Sequence, residues 1–93
     1  MIANISSSDQ SAVDLLLTDA RIGLIFLDLA ENTMIAEQRS RRIAEAHHVY
    51  QSILIFLPQL RPTADQKEIL SRELSTLKDR LQEAGVSIDD DEI

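Results

Sequence analysis

Cysteine is absent from the 93 residues, tryptophan is absent, glycine and proline occur twice each, and aromatic side chains make up only 3%. The missing thiols exclude a disulfide framework, a thiolate metal site and a cysteine nucleophile. With Phe26, Tyr50 and Phe56 as its only rings, a core has to be built from Leu, Ile and Ala. That composition points to helices, since strands draw on Val, Thr and aromatics. Positive charge is also scarce: nine Lys and Arg face 16 Asp and Glu, for a net charge of −7. A phosphate backbone is repelled by that balance, so nucleic acid is not an expected partner. Long apolar runs are missing too. Ile22 to Leu27, counting Gly23, and Ile53 to Leu57 are far short of the ~20 residues a bilayer span needs, so a membrane is not an expected partner either. Met1 to Gln10 contain no Lys or Arg and do not resemble a secretion leader, so the expected setting is the cytoplasm.

Hydrophobic residues at 44% and charged residues at 27% describe one ordinary globular domain. The third of three helices has the sharpest boundaries. Thr63 with Gln66 three residues on fits a capping box, Pro62 fixes the entry, and Gly85 suits a left-handed residue after the last turn, with Val86 packing back on Leu81. Between them, from Ala64 to about Ala84, Leu70, Leu74, Leu77, Leu81 and Ala84 follow four-three spacing along one face. The remaining positions, Arg80 among them, are expected in solvent.

The first helix is expected to start near Ser8 or Ser11 and to end near Ala30. Leu16, Ala20, Leu24 and Leu27 form one stripe, while Leu17, Ile22, Ile25, Phe26 and Leu29 carry apolar surface most of the way round. Such a helix must sit between several neighbours. A second helix is expected from about Met34 to Leu57, capped by Asn32 or Thr33 and closing before the Pro58 to Pro62 linker. It opens with the polar run Glu37-Gln38-Arg39-Ser40-Arg41-Arg42. Its later half sets Ile43, Ala46, Tyr50, Ile53, Leu54 and Leu57 at helical spacing, with Val49 and Phe56 on a flank. Short connections favour antiparallel neighbours, so the expected fold is all-α, an up-down-up three-helix bundle. Residues 8–86 form the domain, residues 1–7 a loose lead, and residues 87–93, with Asp89-Asp90-Asp91-Glu92, a loose acidic tail.

A domain of this length has little room to hide a helix that is apolar nearly all round. A homodimer whose two-fold interface includes the first helix is therefore expected; the alternative is scattered surface apolars on a monomer.

Three sets of residues bear on chemistry. Glu45 and His48 form Glu-x-x-His, the spacing that carboxylate-bridged di-metal bundles place on two of their helices, and Glu31 or Glu37 could add carboxylates. The competing interpretation makes them boundary residues beside the buried Ala46 and Tyr50. Arg39 and Arg42, with Arg41, could bind an anion through their guanidinium forks, or form a solvated ion-pair face with Glu31, Glu37 and Glu45. No phosphate loop and no nucleophile with a neighbouring base is present, so an enzyme is not expected and no cofactor is called for.

Glu45-Ala46-x-x-x-Tyr50-x-x-Ile53-Leu54-x-x-Leu57-Pro58 resembles the second helix of a tetratricopeptide-type hairpin. There a small residue lets two helices approach, a ring fills the next groove and proline ends the helix. From Ala20 to Gly85 the chain resembles small bacterial all-helical proteins to which no activity is assigned. The resemblance implies a hairpin of this type followed by a third, capped helix. The functional expectation is a non-enzymatic protein–protein interaction module that self-associates or binds a further protein, with Ile22, Phe26, Val49 and Phe56 in the contact. The alternative is a carboxylate–histidine metal-binding protein using Glu45 and His48.

Overall fold

The computed structural model describes the backbone of residues 2–88 and the side chains of residues 10–88. Three helices follow in order: α1 over Ile2–Asn32, α2 over Ala36–Phe56 and α3 over Ala64–Glu83, with a single 3-10 turn at Leu57–Gln59 between the last two. Among the described residues there is no strand. The chain is all-α and forms a three-helix bundle, elongated at 52 × 24 × 18 Å.

The helix boundaries follow local chemistry. At α3 the capping box is complete: the Thr63 hydroxyl accepts from the Gln66 N–H at 3.1 Å, and the Gln66 side-chain carbonyl accepts from the Thr63 N–H at 3.0 Å. At the other end Gly85 adopts φ +98°, a conformation that costs a residue with a Cβ, and the Val86 N–H reaches back to the Leu81 carbonyl at 3.0 Å. The cap residue Ala84 is exposed, so the four-three seam ends at Leu81, one position earlier than the spacing suggested.

Two boundaries differ from expectation. α1 begins at Ile2 rather than near Ser8 or Ser11. Extending a helix past three serines costs little once its later turns are fixed by packing, because propagation needs no new nucleus. Met1 and Asp89 to Ile93, with the acidic run, lie outside the described residues. α2 begins at Ala36, and neither Asn32 nor Thr33 is its cap residue; that place is held by Ile35, extended at φ −94°, ψ 114°. Thr33 instead organises the turn: its hydroxyl accepts from the Ile35 N–H at 3.2 Å and donates to the Gln38 side chain at 3.1 Å. At the far end α2 stops at Phe56, and Pro58 falls inside the 3-10 turn, where its missing N–H is not required.

The core is a stack of small and branched aliphatic residues around one ring. Val13, Leu16, Ala20 and Leu27 of α1 meet Ala46, Tyr50 and Ile53 of α2 and Leu70, Leu74, Leu77 and Leu81 of α3. Each fully buried leucine contributes about 1.5–3 kcal/mol through its apolar area. α1 lies against both other helices, whereas α2 and α3 touch each other less. That arrangement explains the wide apolar circumference of α1. The helices pack tightly at Gly23, which is buried: a Cβ there would stand 3.2 and 3.3 Å from the two Leu77 methyls and 3.5 Å from a Val49 methyl.

Along the α1–α3 seam, polar partners recur every seven residues with a constant offset. The Gln66 amide donates to the Asp14 carboxylate at 3.1 Å, Arg21 stands 3.9 Å from Glu73, and Arg80 stands 2.8 Å from Asp28. The two helices are thus parallel and in heptad register, which gives the up-down-up order.

Candidate functional site

The residues proposed from sequence are not brought together into one site. Phe26 and Val49 are partly buried and pack against the core, Val49 filling the space over Gly23. Ile22 and Phe56 are exposed, at 39% and 54%.

The arginine cluster is engaged locally. Arg39 donates to the Thr33 carbonyl at 3.0 Å, toward the turn before α2, while Arg42 reaches forward to both Glu45 oxygens at 2.9 and 3.2 Å. Arg41 lies 3.7 Å from Glu37. The Arg39 and Arg42 guanidiniums therefore extend in opposite directions along α2. Glu45 is occupied by Arg42, and His48 stands exposed beside Gln51 and Ile55 on a shallow surface depression. Glu31 is engaged by Arg80 at 3.1 Å. Among the described residues no three His, Cys, Asp or Glu side chains are grouped to hold a metal ion.

Sequence inspection missed Arg80. Its heptad position predicts a solvated side chain, yet it is only 23% exposed and bridges Asp28 and Glu31 across the helix seam. Burial disfavours its charge, but hydrogen bonds to Asp28 and Glu31, with their negative charges, outweigh this and hold the guanidinium above its ordinary range. A cleft of about 390 Å³ opens beside it, walled by Leu27, Ile43, Arg39 and Glu83. Asp28, Glu31 and Glu83 stand around the two arginines at that end of the bundle, so the carboxylates there outnumber the guanidiniums. Arg80 supplies a cation to the last turn of α1, which has no basic residue of its own. Arg80→Ala is expected to cost about 0.5–1 kcal/mol, because it leaves two exposed carboxylates without their cation at a helix C-terminus. Arg80→Lys should recover only part of this, since one ammonium replaces a planar fork. Urea midpoints of the two variants check both statements.

Ile22, Ile25 and Leu29, expected as part of the apolar belt of α1, lie on its outward face together with Leu15, which the sequence reading does not single out. Leu15, Ile22 and Leu29 are spaced by seven, and Ile25 falls between the last two; they are exposed by 61%, 39%, 48% and 54%. On an α-helix they form one stripe about 21 Å long, on the side away from α2 and α3. Spacing by seven does not separate these side chains from the inward stripe, since the buried Val13, Ala20 and Leu27 follow it as well. Comparison of the chain with protein-family models, with curated proteins and with solved structures finds no match. No helix is long and apolar enough to cross a membrane among the described residues.

Proposed function

We propose that this chain is a non-enzymatic helical protein–protein interaction module that associates with a second copy of itself through the outward face of α1. The observation that carries the proposal is the exposed stripe Leu15, Ile22, Ile25 and Leu29, interrupted by one polar side chain, Thr18. Apolar surface of this kind on a small domain marks an interaction site. Self-association closes it with a two-fold interface, in which the same patch serves both partners. The proposed kinship of α1 and α2 with tetratricopeptide-type hairpins agrees with an interaction role; Ala46 and Tyr50, fully buried between the helices, support it. The proposed setting is cytoplasmic.

Light scattering over a concentration series tests the proposal. The expected mass at tens of micromolar is twice the chain mass of 10.4 kDa, falling toward that mass on dilution. Ile25→Glu should return the protein to one chain without loss of helicity, since the position is already 54% exposed. A single-chain mass for the unaltered protein at these concentrations would overturn the proposal.

A further inference from the structure

We infer that the two copies meet antiparallel along α1, with Ile22 of each opposite Ile25 of the other; this rests on the self-association proposed above and adds its orientation and register. The stripe follows a heptad in which Leu15, Ile22 and Leu29 repeat as one seam position and Thr18, Ile25 and Asn32 as the other. Helices pairing through such a seam choose their orientation by the residues that flank it. On the flank facing α3 these are Asp14, Arg21 and Asp28; on the flank facing α2, Asp19 precedes Phe26.

The two orientations differ in charge. A parallel pair sets the α3-side flank of one helix against the α2-side flank of the other. Asp14 then faces Asp19 of its partner, twice by symmetry, and Arg21 faces an apolar ring. An antiparallel pair sets the α3-side flanks against each other. With the two-fold axis between residues 23 and 24, Ile22 faces the partner's Ile25, Thr18 the partner's Leu29, and Arg21 the partner's Asp28, each twice.

The second arrangement also continues a ladder already built into the monomer. Arg21 lies 3.9 Å from Glu73 through its Nε and is 59% exposed, while Asp28 is held by Arg80 and is 61% exposed. Across the interface the order becomes Glu73, Arg21, the partner's Asp28, the partner's Arg80, with signs alternating at every step. Networks of this kind fix register more than they add affinity.

The chain has no cysteine, so introduced thiols report without background. Thr18→Cys and Leu29→Cys, both at exposed positions, are prepared separately and treated with a thiol cross-linker shorter than the roughly 16 Å that separates the two residues along one helix. The expected result is several times more cross-linked dimer in an equimolar mixture than in either protein alone, with peptide mapping showing residue 18 joined to residue 29. Efficient cross-linking of either variant with itself would establish a parallel pair and overturn the register. Absence of any cross-link at a two-chain mass would overturn the register and the α1 face together, leaving only the dimeric state itself standing. A one-chain mass would remove the self-association proposal and the register together.

Discussion

Leu77→Ala is expected to lower the free energy of unfolding by about 2–5 kcal/mol, the range for removing a leucine side chain from a site that does not collapse. Leu77 is fully buried, and its two methyls lie over the bare backbone of Gly23. No side chain at residue 23 can fill the vacated space, so the cavity term is at its largest here. A domain of this length has about 5–14 kcal/mol in total. The variant should therefore lose on the order of a third of its stability, read as a fall in urea midpoint with little change in slope. A loss below about 1 kcal/mol would show that the helices close over the gap.

Gly23→Val makes the opposite error at the same place. A Cβ at residue 23 already stands 3.2 Å from Leu77, and the valine methyls extend further into a contact between three helices. Overpacking of this kind costs about 1–3 kcal/mol, and the ordinary preference of a helix for a residue other than glycine, about 0.5 kcal/mol for valine, offsets little of it. The two changes should not be additive. With Leu77 shortened the valine has room, so the double variant should lose at least about 1 kcal/mol less than the two single losses combined. Additive losses in denaturant titrations would mean that residue 23 and Leu77 do not share the packing site.

How much was legible in the sequence depends on how local the physics is. The ends of α3 were readable because Thr63, Gln66 and Gly85 act on backbone groups within a few residues of themselves. The start of α2 was not, although Asn32 and Thr33 are good cap formers. Thr33 is committed to the turn instead, binding the Ile35 N–H and Gln38. The candidate sites fared in the same way. Glu45 and His48 have the spacing of a metal ligand pair, but Arg42 lies one turn before Glu45 and closes on it at 2.9 Å. Spacing shows which side chains share a face; competition among them decides which pair forms.

The four-three repeat of leucines in α3 and the apolar belt of α1 determined by themselves that the chain folds as packed helices, because an α-helix brings residues three and four apart to one side and water drives that side inward. Only the tertiary structure decided which part of the belt on α1 is covered. α2 and α3 share one side of α1, pressed close at Gly23, and Leu15, Ile22, Ile25 and Leu29 are left on the other. The same packing drew Arg80 out of solvent onto Asp28 and Glu31, since the partners of a charge fifty residues distant are set by the register of two helices and not by its own neighbours in sequence.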